Sequence, residues 1–199
     1  IHLAGLSGVR DSLDNPVDYW TNNVVATYRI FKQFDKGPKI LYASSSTAYE
    51  PWRNPYAMSK HYMESIAPHN ALGMRFTTVY GPGAREKMLI PKILKNDVDY
   101  INVDHSRDFI YIDDLLTAIG TLIVNPIPRK PKFVDIGTGI SNNLLDILSH
   151  LNIEIKDKRM GTIFERKDNK ANIGTLTKMG WMPTIDLFDY LKGEKNGDI

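Results

Sequence analysis

Lys39-Ile40-Leu41-Tyr42-Ala43-Ser44-Ser45-Ser46-Thr47 is the stretch on which the fold turns. A short apolar run that ends in hydroxyl residues reads as a strand buried on both faces, as strands of a parallel sheet are. The period changes on either side of it. Upstream, Asn15-Pro16 offers a cap followed by proline at the first helical position. Val17, Trp20, Val24, Tyr28 and Phe31 then recur at three- and four-residue spacing, which predicts a helix with these five on its buried face. Downstream, a second helix begins near Tyr56. Met74-Arg75-Phe76-Thr77-Thr78-Val79-Tyr80 is the next strand, stopped by Gly81-Pro82-Gly83. Further on, Asp113 or Asp114 caps a helix running to about Val124, Lys132 to Ile136 is a strand, and Ser141 and Thr184 cap two more helices. Strands alternating with helices make this a parallel α/β sheet. Lys156 to Lys170 is polar, shows no period and receives no assignment.

Composition narrows the function classes. Lys plus Arg is 25 against 23 for Asp plus Glu, a net charge of +2. That balance leaves no basic footprint for nucleic acid and none for a membrane surface. Cysteine is absent, which removes disulfides, thiolate metal sites and a cysteine nucleophile. His2, His61, His69, His105 and His150 show no ligand spacing, so no metal is assigned. No apolar run approaches the roughly 20 residues of a membrane span, and a cytoplasmic location is expected. The chain opens at Ile1-His2-Leu3-Ala4-Gly5, without Met, in what reads as a strand already under way. The expectation is that a preceding part of the sheet lies upstream.

The sharpest chemical signal is Tyr56-Ala57-Met58-Ser59-Lys60. Residues four apart share a helix face, so the Tyr56 phenol and the Lys60 ammonium point the same way. A nearby cation favours phenolate, which would lower the tyrosine pKa and make Tyr56 a general base. A hydroxyl at the carboxyl end of the preceding strand lies where open α/β sheets place their ligands. Gly137-Thr138-Gly139 invites a dinucleotide-loop reading, but position 142 is Asn142 instead of a third glycine, and a tight strand-to-helix turn explains it.

Several further motifs stand in order along the chain: His2-Leu3-Ala4-Gly5, Asn22-Asn23-Val24-Val25-Ala26-Thr27, Ala43-Ser44-Ser45-Ser46-Thr47-Ala48-Tyr49, Arg75-Phe76-Thr77-Thr78-Val79-Tyr80-Gly81-Pro82, Arg107-Asp108-Phe109-Ile110-Tyr111-Ile112-Asp113-Asp114 and Met179-Gly180-Trp181-Met182-Pro183. With Tyr56 to Lys60 they resemble the extended short-chain dehydrogenase/reductase family, in particular its nucleotide-sugar epimerases and dehydratases. The resemblance implies a Rossmann-like, doubly wound parallel sheet, here without its first βαβ portion, and a small C-terminal α/β lobe. Residues 1–82 would be the partial NAD-binding domain with the catalytic helix. Residues 83–199 would be mainly substrate-binding, with segments returning to the sheet.

Carried over by position, the resemblance makes Ser45, Tyr56 and Lys60 catalytic. Leu3, Ala4, Gly5, Asn23, Ser44, Tyr56, Lys60 and Phe76 would bind the cofactor, NAD. Arg10, Ser46, Thr78, Arg85 and Arg107 would bind the substrate, a nucleotide sugar, with Arg107 on the diphosphate. Thr78 with Arg10 and Arg85 looks most like epimerases acting on UDP-glucuronate, so a UDP-sugar is expected. Two-helix homodimer interfaces are usual in such proteins. The implied reaction is epimerisation through a keto-sugar. The dehydratase branch fits less well, because Ser45 is followed by Ser46 and Thr47 and not by an acidic pair. A reductase, or a catalytically incompetent fragment lacking the cofactor glycine loop, are the alternatives. The sequence departs from the family at Ala26, where Gly is usual, in the short Thr47–Pro55 connection, and at Pro68, which cuts the following helix short.

Overall fold

The computed structural model describes residues 1–128 and 130–196. In chain order the strands are β1 (Ile40–Ser45), β2 (Ala71–Phe76), β3 (Thr78–Tyr80), β4 (Tyr100–Asn102), β5 (Ser106–Arg107), β6 (Phe109–Tyr111), β7 (Phe133–Ile136), β8 (Asn142–Asn143) and β9 (Asp157–Arg159). The helices are α1 (Val9–Asp14), α2 (Pro16–Tyr19), α3 (Ala26–Phe34), α4 (Pro55–Ser65), α5 (Leu89–Leu94), α6 (Ile112–Val124), α7 (Leu144–His150), α8 (Gly174–Lys178) and α9 (Leu187–Asn196). β1, β2 and β7 form a parallel sheet in the order β1-β2-β7, with Ser45 opposite Phe76 and Phe76 opposite Ile136. Ile1 to Ala4 lies along the free edge of β1 through one parallel bridge. His2 donates its amide to Leu41 O at 2.8 Å and accepts from the Ala43 amide at 2.9 Å.

Every residue of β1 is buried, because helices cover both faces of the sheet. On one face Phe31 of α3 and Met63 of α4 pack on Ile40, Tyr42 and Ala71. On the other, Leu115, Ile119 and Leu122 of α6 and Leu176 of α8 pack on Leu41, Leu72, Met74, Val134 and Ile136. Alternate residues of each strand therefore feed alternate layers, which is the doubly wound arrangement. A third apolar cluster lies beyond this sheet, where Ile93 of α5, Ile147 and Leu148 of α7 and Leu191 of α9 meet Tyr80, Ile101 and Phe109. Among the described residues no helix is long and apolar enough to cross a membrane.

The structure departs from the sequence reading at three kinds of place. The first is the apolar stripe of the leading helix. Val17, Trp20 and Tyr28 are exposed, and the buried side is Tyr19, Asn23, Val24, Thr27 and Phe31. Trp20–Val25 forms a π-helical turn between α2 and α3. That turn holds more residues than an α turn, so the face shifts where a 3.6-residue period assumes it continues. The second is the run Met74 to Tyr80, which is two strands. The Thr77 amide still donates to Ile136 O (3.1 Å) in the main sheet, but the Thr78 amide turns to Asp108 O (2.9 Å), and β3 pairs with β6.

The third concerns helix starts. α6 begins after Tyr111, which makes no side-chain cap. Asp114 is buried inside it, accepting from the Thr184 amide (3.0 Å), the Thr184 hydroxyl (2.8 Å) and the Ile185 amide (2.9 Å). Asn143 and not Ser141 caps α7, accepting from the Leu145 amide at 2.9 Å. Asp186 and not Thr184 caps α9, through the Phe188 amide at 2.8 Å. Ser141 instead donates to Asp168. Short polar side chains suit caps and buried acceptor roles alike, and only the tertiary neighbours choose between them.

Candidate active site

The carboxyl end of β1 delivers Ser45 to the start of a 3-10 turn, Ser46–Tyr49, where its Oγ accepts from the Thr47 amide (3.2 Å) and the Thr47 hydroxyl (3.0 Å). Asn54 then caps α4, its Oδ1 accepting the Ala57 amide at 2.8 Å, with Pro55 preset for the first turn. This cap fixes Tyr56, which sits edge-on to Tyr19 with ring centres 6.0 Å apart. One turn on, Lys60 is 4% exposed, donates from Nζ to Ala43 O at 2.8 Å and stands 5.9 Å from the centre of the Tyr56 ring. Burial lowers the Lys60 pKa to about 8, with Glu64 opposing the shift. Burial also pushes the Tyr56 phenol above its usual value, and the Ser45 hydroxyl and then the Arg85 charge draw it partway back. The expected depression of Tyr56 by Lys60 is thus not the balance found. Helical spacing does bring the pair together, but desolvation outweighs the nearby charges.

The expected cofactor residues divide. Leu3, Ala4 and Gly5 are exposed beside β1. The Gly5 backbone passes so close to its neighbours that a Cβ there would stand 2.9 Å from Asn23 Oδ1 and 3.4 Å from Lys60 Nζ. Asn23 is buried and its amide is spent on the protein. Oδ1 accepts the Leu6 amide (2.7 Å), while Nδ2 donates to Leu6 O (3.0 Å) and to Ser59 Oγ (3.0 Å). It holds Leu6 against α4. The Ser44 hydroxyl is engaged within the protein. Side chains alternate along β1, so Ser44 lies on the face of Ile40 and Tyr42, which meets α4. There it donates to Glu64 at 2.5 Å, and Glu64 pairs with Arg75 (2.7 and 2.5 Å), whose guanidinium lies between the rings of Tyr49 and Phe133. Phe76, at the end of β2, packs partly buried against the apolar layer under α6.

All five expected substrate residues, Arg10, Ser46, Thr78, Arg85 and Arg107, line one cleft of about 900 Å³, together with Ser45. Arg85 donates to Ser7 Oγ at 3.3 Å, and Thr78 Oγ1 accepts from Asn169 Nδ2 at 3.0 Å. Arg107 Nη1 is anchored on Ser106 O (2.7 Å) and Lys167 O (3.0 Å). Asp108 is not its ion-pair partner. The Asp108 carboxylate is fully buried and accepts from the Thr138 amide and hydroxyl and the Gly139 amide, each at 2.8 Å, and from the Ala171 amide at 3.0 Å. The amides of the Gly137-Thr138-Gly139 turn therefore close on a carboxylate of the protein itself. A Cβ at Gly137 would lie 2.7 Å from Ala171 and Thr77, so that turn is tight, as the missing third glycine suggests.

Residues 163–169, inside the stretch left unassigned above, form the far wall of the cleft. Arg53 donates to Ile163 O (2.7 Å), Asn54 to Phe164 O (2.9 Å) and Arg166 to Ser46 O (2.9 Å), while Asn169 Oδ1 takes the Asp108 amide (2.7 Å). Glu165 faces Arg10, whose Nε and Nη2 are both 3.3 Å away, His105 Nδ1 at 3.5 Å and Arg107 Nη2 at 3.9 Å. Sequence reasoning missed Glu165, Arg166, Asn169 and His105. Their partners lie far away along the chain and no periodicity marks them. Among the described residues no three His, Asp or Glu side chains converge as a metal site.

The model of the NAD dependent epimerase/dehydratase family matches residues 1–137. A UDP-glucuronate 4-epimerase of Thermodesulfobacterium geofontis is 31% identical across 98% of this chain and 71% of its own length. A putative UDP-glucose 4-epimerase of Methanocaldococcus jannaschii is 31% identical across 96% of this chain and 74% of its own. In the solved structure of a UDP-glucuronic acid 4-epimerase from Bacillus cereus in complex with UDP-glucuronic acid and NAD, 73% of that chain superposes on 98% of this one, with a TM-score of 0.81 and 25% identity.

Proposed function

The chain belongs to the NAD dependent epimerase/dehydratase family, and from that premise we propose that it epimerises a nucleotide sugar, with UDP-glucuronate as the substrate its cleft suits best. The observation that carries this reading is the placement of Arg10, Arg85 and Arg107 in one cleft, with Arg166 in its wall spent on Ser46 O and Glu50. Arg10 and Arg107 converge on a single carboxylate, and Arg85 is close enough to the reacting end for its charge to act on Tyr56. The first two suit a diphosphate, which planar charged forks recognise well. Arg85 is left for a carboxylate on the sugar, and Ser45, Ser46 and Thr78 supply hydroxyls for its ring. In this reading the cleft separates a cofactor-binding part, residues 1–82, from a mainly substrate-binding part, residues 83–199.

The residues at the edge of β1 fit the nicotinamide-ribose end of NAD. Lys60 Nζ has three N–H groups and places one on Ala43 O, leaving two for ribose hydroxyls, and the exposed Leu3-Ala4-Gly5 backbone passes beside it. NAD, when bound, supplies the acceptor and donor of hydride for the sugar carbon. Tyr56 takes the proton of the sugar hydroxyl and returns it after the ketose has turned over. Ser45, whose hydroxyl favours the phenolate, shares that proton and holds the hydroxyl in line. Lys60 positions the ribose, and its proton lies close to exchange at neutral pH.

Val17, Trp20 and Tyr28 are exposed apolar side chains of one helical segment and Met58 and Tyr62 of α4, and the two segments meet where the Trp20 and Tyr62 rings stand 5.0 Å apart. They suit pairing with a second copy of the chain.

The test is incubation with NAD and a panel of UDP-, GDP- and dTDP-sugars, the products resolved by NMR. The C4 epimer of UDP-glucuronate is expected. A 4-keto-6-deoxy product, or no conversion of any sugar, overturns the epimerase reading. Tyr56→Phe should abolish turnover and leave UDP binding unchanged, and a variant that still turns over removes Tyr56 from its role.

A further inference from the structure

Glu165 differs from Asp108 and Asp114, the buried carboxylates on either side of β6. Asp108 and Asp114 accept from backbone amides at 2.8–3.0 Å, so they are part of how the chain is folded. Glu165 has only side-chain groups around it, the guanidinium groups of Arg10 at 3.3 Å and Arg107 at 3.9 Å and the imidazole of His105 at 3.5 Å, which burial and Arg107 hold towards its neutral form. Those separations are long for charge-assisted hydrogen bonds, which run about 2.7–2.9 Å. The side chain keeps 15% of its surface exposed and lines the cleft. Its neighbours are held independently of its carboxylate: Phe164 O accepts from Asn54, the Glu165 amide donates to Thr162 O (3.2 Å), and the Arg166 side chain donates to Ser46 O. Its carboxylate can therefore leave while the wall stays. Arg107 is likewise held in place by its anchors on Ser106 O and Lys167 O, whether or not Glu165 is present.

We propose that Glu165 is an internal counter-ion occupying the anion position of the cleft, which the diphosphate of an incoming nucleotide sugar must displace. This rests on the reading above that Arg10 and Arg107 receive that diphosphate. Without a ligand, two guanidinium groups facing one cleft would repel each other and draw in any passing anion. The carboxylate offsets one of those two charges and separates the guanidinium groups. A monoanion competes poorly with an attached carboxylate for two forks, whereas a diphosphate brings more charge and more acceptor oxygens. Glu165 thus sets a threshold of ligand charge, and acts on affinity and selectivity rather than on the chemical step.

The experiment is titration calorimetry of the full chain with UDP, at several salt concentrations, for the native protein, Glu165→Gln, Glu165→Asp and Arg107→Met. Expected are UDP binding about tenfold tighter in Glu165→Gln, equivalent to about 1.4 kcal/mol, and a steeper loss of affinity with salt, because its guanidinium groups are unscreened before the ligand arrives. Glu165→Asp retracts the charge by one methylene and should also bind UDP more tightly than the native chain. If neither Glu165 variant tightens UDP binding while Arg107→Met weakens it tenfold, the counter-ion inference is overturned and the diphosphate reading stands. If Arg107→Met binds UDP as the native chain does, the diphosphate reading itself falls.

Discussion

Lys60→Met should make the protein more stable while removing a residue assigned to catalysis. Lys60 holds its ammonium in a site that is 4% exposed, with one hydrogen bond, to Ala43 O. Its pKa falls from 10.5 to about 8 for that reason. At roughly 1.4 kcal/mol per unit, burying the charged form costs the fold about 3 kcal/mol below pH 8. Methionine keeps the aliphatic stem and removes the charge, but leaves Ala43 O without this donor, which gives back roughly 1 kcal/mol. The net gain of about 2 kcal/mol at pH 7 corresponds to a Tm about 4–8 °C higher for a chain of this size. Between pH 8 and 10.5 the unfolded chain carries a proton on Lys60 that the folded chain has released. Native stability therefore rises with pH across that window, and the variant lacks this rise. Thermal unfolding of both proteins at pH 7 and pH 10 is the assay, since other titrating groups are common to both and cancel in the difference. The methionine variant should lead at pH 7 and lose most of its lead by pH 10. A variant less stable than the native chain at pH 7, or a gap that does not move with pH, would show that the desolvation of Lys60 has been overestimated.

Asp108→Asn places an amide NH2 against at least one pair of donors whichever way it turns, since each carboxylate oxygen accepts two. Two orphaned buried donors cost about 3 kcal/mol, so Tm should drop by about 6–12 °C, and an unchanged melt would contradict the assigned hydrogen bonds. Trp20→Glu sets a charge in the exposed Trp20–Tyr62 patch. Light scattering after gel filtration should find the native chain dimeric and this variant monomeric, whereas a monomeric native chain sinks the dimer proposal.

Much of the site's location was legible in the sequence, because β1, the 3-10 turn and α4 follow one another within a short length of chain and their rules are local. A buried strand, a cap at Asn54 and a Tyr–Lys pair one turn apart put Ser45, Tyr56 and Lys60 at one sheet end. The electrostatic balance was not legible. Spacing reveals that Lys60 lies near Tyr56 but not how little water reaches either, and desolvation decides the sign of the Tyr56 shift. The layer that Ser44 enters follows from its alternation with Ile40 and Tyr42, whereas its partner Glu64 does not. The buried face of α2 and α3 was not legible, because a π turn is invisible to a 3.6-residue count. Nor was the wall at residues 163–169, which depends on side chains meeting across more than 90 positions of sequence: Asn169 on Thr78, Arg166 on Ser46 and Glu165 on Arg10.

One residue, Thr77, joins the main sheet to the small one. Its amide belongs to β7 and the next amide to the segment before β6. Inserting or deleting a residue there would turn Thr78 away from the cleft and shift every later residue of β3 to the opposite side. Any redesign of the cleft should therefore treat residues 76–78 as a fixed joint. The editable ground is the turn from Pro82 to Met88, which lines the cleft outside the strands, whereas the wall from Ile163 to Asn169 is itself tied to Ser106 and Asp108 and tolerates a change of charge better than one of length.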